Sequence, residues 1–129
     1  MSDSRLVYEV LSMLAADDES PWILHHSLIH DPEYADLDVS RLLTTLDELE
    51  RRGWATPWMV LHDDPDDPNK HGPPTADYKN EALAAYQDLV LRKQHRRYML
   101  QEYGPWYTIT DRGHTERERL APRYDQQPN

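Results

Sequence analysis

Between Arg5 and Ala16 the apolar residues Leu6, Val7, Val10, Leu11 and Leu14 recur at steps of three and four, which places them on one side of a helix. Asp17-Asp18-Glu19-Ser20 interrupts the stripe. Ser20-Pro21 then opens a second helix from about Pro21 to His30, because Ser caps an N-terminus and Pro at the first helical position loses only an amide that has no partner there. Asp31-Pro32 ends it, since a residue before proline is pushed out of the helical region. After a short polar turn, Asp38 can cap a third helix. Its apolar face is Val39, Leu42, Leu43, Leu46 and Leu49, and Ser40, Arg41, Thr44, Thr45, Asp47 and Glu48 look elsewhere. Gly53 stops this helix, with Arg51 and Arg52 at the negative end of its dipole.

The period then changes. Trp54 to Leu61 is rich in aromatic and branched residues and reads as a strand, with Pro57 implying an edge position or an irregularity. Residues 63–76, with four carboxylates and four prolines, read as an exposed loop with little to bury. A helix resumes at about Asp77, carries a stripe of Leu83, Tyr86, Leu89 and Val90, and can extend to Tyr103 before Gly104-Pro105. Trp106 to Thr110 reads as a second strand. Thr110 caps a last helix from about Asp111 to Leu120, and residues 121–129 offer little reason to fold. The expected class is mainly α with a small β-hairpin, as one domain over residues 1–120 followed by a disordered tail.

Composition changes this picture in two places. Leu, Ile and Val number only 24 of 129 residues and Phe is absent, below the roughly one-fifth share at which disorder is suspected. Four Trp and eight Tyr answer that suspicion, because each buries about 150–250 Å². The formal charge is −10, which disfavours nonspecific adhesion to nucleic acid or anionic lipid. The charge is also uneven: residues 1–75 hold 5 basic and 16 acidic side chains, and residues 76–129 hold 9 and 8. The cations of the second part fall in two clusters, Arg92, Lys93, Arg96, Arg97 and then Arg112, Arg117, Arg119, Arg123. No stretch approaches a membrane span, and Met1 to Arg5 has no basic region leading into an apolar one, so a cytoplasmic protein away from the membrane is expected. Without cysteine there is no disulfide and no thiolate chemistry.

Three stretches in this order carry a resemblance. They are Val10-Leu11-Ser12-Met13-Leu14-Ala15-Ala16, the run Val39 to Trp54 ending in Arg51-Arg52-Gly53-Trp54, and Tyr107-Thr108-Ile109-Thr110-Asp111-Arg112-Gly113. Together they cover about half of the chain, which resembles winged helix-turn-helix transcription regulators of the PadR and MarR type. The resemblance implies a winged helix-turn-helix fold in which residues 63–105, an acidic loop plus an inserted helix, stand within the wing. It also implies that the helix at about 38–52 enters the major groove of double-stranded DNA, with Ser40, Arg41, Thr44 and Thr45 as its contacts. Arg41 can pair bidentately with guanine, and hydroxyls serve phosphates or bases. The acidic limb of the excursion departs from the basic wing of those families. Lys70 on its far side, with Arg92, Lys93, Arg96 and Arg97 on the inserted helix, would replace the missing phosphate contacts. Such regulators dimerise through long helices, so Tyr86, Leu89, Val90, Tyr98, Met99 and Leu100 of the insert are candidates for a homodimer interface.

Other chemistry is thin. His26 and His30 are four apart on one helical face but lack the remainder of a zinc motif, and the Asp63–Asp67 run lacks the glycine and terminal glutamate of a calcium loop. There is no phosphate-binding glycine loop and no nucleophile elbow. Neither an enzyme nor a cofactor is expected. Two alternatives to DNA reading stay open: a winged-helix module that docks a protein, and an acidic decoy that occupies the groove of a DNA-binding protein through Asp63, Asp64, Asp66 and Asp67.

Overall fold

A computed structural model describes residues 4–61, 64–91 and 105–124. The described elements are α1 (Ser4–Ala16), α2 (Pro21–Leu28), a 3-10 turn (Pro32–Tyr34), α3 (Val39–Arg51), β1 (Ala55–Val60), β2 (His71–Gly72), α4 (Ala76–Leu91), β3 (Trp106–Ile109) and α5 (Asp111–Tyr124). The protein is mostly helical with a small three-stranded antiparallel sheet in the order β2-β1-β3.

The helix stripes do what their spacing requires. Leu6, Val7, Val10, Leu11 and Leu14 of α1 are buried, as are Leu42, Leu46 and Leu49 of α3, together with Leu24 and Leu28 from α2, Tyr107 from β3 and Leu120 from α5. Caps fix the helix starts: Ser20 precedes Pro21, and the Asp38 carboxylate accepts from the Ser40 amide at 2.8 Å. The end of α3 is a Schellman turn. Gly53 takes a φ of 74°, its amide donates to the Glu50 carbonyl at 3.1 Å, and the Trp54 amide donates to the Leu49 carbonyl at 2.9 Å.

A second glycine locks this turn to the last helix. Thr110 caps α5 by accepting from the Gly113 amide at 3.0 Å, while its own hydroxyl donates to the Gly53 carbonyl at 2.6 Å. Gly113 lies so close to Trp54 that a Cβ there would stand 2.0 Å from the Trp54 carbonyl oxygen. The two glycine-containing motifs thus form one joint.

The two expected strands pair antiparallel as β1 and β3, and the sheet has a third strand that was not expected. β2 adds a third strand through Met59↔Gly72 and Val60↔His71, within a segment expected to be loop. On the other side Glu19 bridges Tyr107, exchanging both backbone hydrogen bonds (2.9 and 3.3 Å). Pro57, expected at an edge or an irregularity, sits in the central strand. The strand tolerates it because Tyr107 directs its amide and carbonyl to Glu19, which makes Pro57↔Tyr107 a non-hydrogen-bonded pair, and because pairing with β2 begins only at Met59 of β1. The proline therefore removes no ladder bond.

Two boundaries also move. α2 ends at Leu28, and Asp31 caps the following 3-10 turn by accepting from the Glu33 amide at 2.9 Å. At the other end, residues 121–124 continue α5 where a disordered tail was expected. Tyr124 holds this last turn by stacking on Tyr8 at 5.5 Å and by bonding to the Ser4 hydroxyl, in spite of Pro122.

Candidate nucleic-acid interface

The core-facing side of α3 leaves Ser40, Arg41, Thr44, Asp47 and Arg51 exposed. Of the expected contacts, Ser40, Arg41 and Thr44 therefore lie on the outward side. Thr45 does not. It is buried, with only 7 % of its surface exposed, and its hydroxyl donates to the Arg41 carbonyl at 2.9 Å. Thr45 follows Thr44 by 100° of helical rotation, enough to turn one threonine from solvent to core; the pattern of polar residues alone does not show this.

The outward side is electrically mixed. Arg51 pairs with Asp47 at 3.3 Å, and Arg52 with Glu48 at 3.1 Å, both across one helical turn. At the N-terminal end, the Asp38 carboxylate already accepts from the Ser40 amide. The exposed Arg51–Asp47 pair contributes about 0–1 kcal/mol.

α4 changes the site most. Lys79 Nζ donates to Glu50 Oε1 at 2.6 Å, and Gln87 Nε2 donates to Ser40 Oγ at 3.1 Å. Lys79 near the end of α3 and Gln87 near its start mean that α4 runs antiparallel along α3. The spans agree, at about 12 Å for eight residues of α4 and about 15 Å for ten of α3. Ser40, Leu43 and Glu50 form the side of α3 that α4 flanks. Neither Lys79, Gln87 nor Glu50 carries a motif, and the pairs are 29 and 47 residues apart, so no local pattern announces them.

The remaining expected contacts divide. Lys70 is exposed just before β2, where its carbonyl accepts from the Leu61 amide at 2.7 Å. Arg92, Lys93, Arg96 and Arg97 lie outside the described residues, as do Tyr98, Met99 and Leu100, while Tyr86, Leu89 and Val90 lie along α4. The acidic run before β2 is partly structural: Asp64 accepts from the Asp66 amide at 2.9 Å and Asp67 from the Asn69 amide at 3.3 Å. These are turn-forming bonds of a type short carboxylates favour.

A further cluster sits on the outer face of the sheet. Trp58 and Trp106 stack as a cross-strand pair at 4.8 Å, with His71 at 5.0 Å from Trp58. Asp18 Oδ2 accepts from both Trp58 Nε1 (3.0 Å) and Thr108 Oγ1 (2.6 Å), tying the α1–α2 turn to the sheet. The neighbouring Glu19 carboxyl is held above its ordinary range, first by burial and then by Asp17 and Asp18.

His26 and His30 meet edge to face at 4.8 Å, and among the described residues no group of three or more His, Cys, Asp or Glu could hold a metal ion. No described helix is long and apolar enough to cross a membrane. No protein-family model, no curated protein and no solved structure matches the chain.

Proposed function

We propose that the chain is a winged helix-turn-helix domain that binds double-stranded DNA as a transcriptional regulator, with α3 as its reading helix. The observation that carries this reading is the strand connectivity. The residue before α2, the strand after α3 and the strand before α5 associate as Glu19, β3 and β1 in that lateral order, and Gly53 passes α3 directly into β1. That arrangement sets α3 across the edge of the domain with its leucines anchored and Arg41 and Thr44 outward. A helix about 10–12 Å across fits a major groove about 12 Å wide. Arg41 supplies the guanidinium fork that reads guanine, and Thr44 a hydroxyl for phosphate or base.

Enrichment from a pool of random-sequence duplex DNA, at low and at physiological salt, tests the reading. The expected result is an enriched motif, with affinity that falls steeply with salt and a loss of about 1–3 kcal/mol on Arg41→Ala. A palindromic motif would add the homodimer. Absence of any motif would overturn the proposal in favour of protein docking, the reading favoured by Asp47, Glu48 and Asp38 interleaved with the arginines of α3.

A further inference from the structure

Resting on that reading, we infer that α4 is a built-in cover for α3, and that it must swing off the Ser40–Glu50 side before α3 can enter a groove. Packed helices lie about 8–10 Å apart, so a pair is roughly 20 Å broad, whereas a major groove is about 12 Å wide. α3 can enter alone. It cannot enter with α4 held alongside by Lys79–Glu50 and Gln87–Ser40.

The contact has the character of a latch. Among the described residues it comprises one ion pair, with side-chain exposures of 15 % for Lys79 and 33 % for Glu50, and one neutral hydrogen bond to a residue that the reading itself assigns to DNA. Among the described side chains of α4 none is fully buried: Lys79, Ala82, Leu83 and Gln87 are half-buried and the others exposed. Parting the described side chains of α4 from α3 exposes no fully buried residue of α4, as suits contacts that open while the domain stays folded. Gln87 donates to the Ser40 hydroxyl from the flank of α3, so DNA and α4 compete for the space beside Ser40 rather than for its hydrogen-bonding capacity. By linkage, whatever holds α4 down lowers DNA affinity by the same factor.

The sign of one substitution separates this from ordinary electrostatics. Lys79→Ala removes a cation, which weakens a DNA-binding protein if the residue only adds charge. With α4 as a cover, Lys79→Ala tightens binding to a random-sequence duplex pool several-fold, and Lys79→Glu, which also repels Glu50, tightens it despite a two-unit loss of positive charge. The chain has no cysteine, so a Ser40→Cys, Gln87→Cys double variant can be joined by a short bismaleimide. Joining is expected to reduce affinity at least tenfold relative to the same variant capped with N-ethylmaleimide, a scale set by population shift. A separate readout needs no DNA: the thiol of Ser40→Cys should alkylate more slowly than that of Thr44→Cys, and Lys79→Ala should remove the difference.

Binding that is weakened by Lys79→Ala and indifferent to the cross-link would overturn the cover while leaving the DNA reading intact. Equal alkylation rates at positions 40 and 44 would overturn it as well. Failure of every form, cross-linked or released, to bind DNA would defeat the DNA reading and the inference with it.

Discussion

α3 and α4 are neighbouring helices of similar length, 13 and 16 residues, that make opposite use of their side chains. α3 sends Leu42, Leu46 and Leu49 into the core with no exposed surface, is capped by Asp38, and is closed by the Gly53 turn. α4 lies against α3 through polar contacts at its flank and places no described side chain fully inside. One helix is part of the domain's stability. The other is attached to it. The difference teaches that, among the described residues, the apolar burial under α3 and the polar contacts that join its flank to α4 are separate sets of groups.

The largest test of this contrast compares two leucines. Leu46→Ala should destabilise the domain by about 2–5 kcal/mol, and Leu83→Ala, at a half-buried position of α4, by about 1 kcal/mol or less. Urea denaturation measures both, and similar losses would break the comparison. Next in size is Gly113→Ala. The new methyl would meet the Trp54 carbonyl, and the expected loss of about 1–3 kcal/mol should appear in global unfolding, since the Gly113 joint ties α5 to the end of α3 rather than to α4.

Asp38→Ala removes the cap of α3 and should cost about 1 kcal/mol, visible as a lower thermal midpoint; no change would mean that α3 does not depend on its cap. The smallest effects come from tyrosines. The Tyr34 phenol is buried, has no hydrogen-bond partner among the described residues, and is pushed up to about 12 from its ordinary 10, first by burial and then by Glu9. Burial likewise pushes Tyr107 up, with Glu50 and Asp47 adding to it. Raised folded values mean that this stability is complete below pH 10 and is lost as pH climbs from 10 to about 12. Urea midpoints should fall over that window. Tyr34→Phe should flatten the fall and, at neutral pH, leave stability unchanged or raise it by up to about 1 kcal/mol; a clear destabilisation would show a missing partner for the phenol.

Much of the helical part was legible without coordinates. The stripes of α1 and α3, the Ser20-Pro21 start, the Asp38 cap and the Gly53 stop are all local signals, each needing only a few residues to express its preference. Thr110 as a cap is legible for the same reason. The misreadings were of another kind. Thr45 belongs to the core by one step of helical rotation. Pro57 sits in a central strand because its neighbour's hydrogen bonds go to Glu19, and β2 exists because Met59 and Val60 are available to pair with two residues of a polar segment. Tyr124 is helical because Tyr8, far away in the chain, offers a ring to stack on. Each of these depends on a partner that the local sequence does not name.

The sequence by itself determined the extents of α1 and α3, the starts of α2 and α5 and which leucines seek the interior, because backbone geometry, capping and apolar periodicity act within a few residues of one another. Only the tertiary structure decided which polar side of α3 is open and which is flanked, since Lys79 finds Glu50 and Gln87 finds Ser40 only after the core has closed and brought α4 alongside.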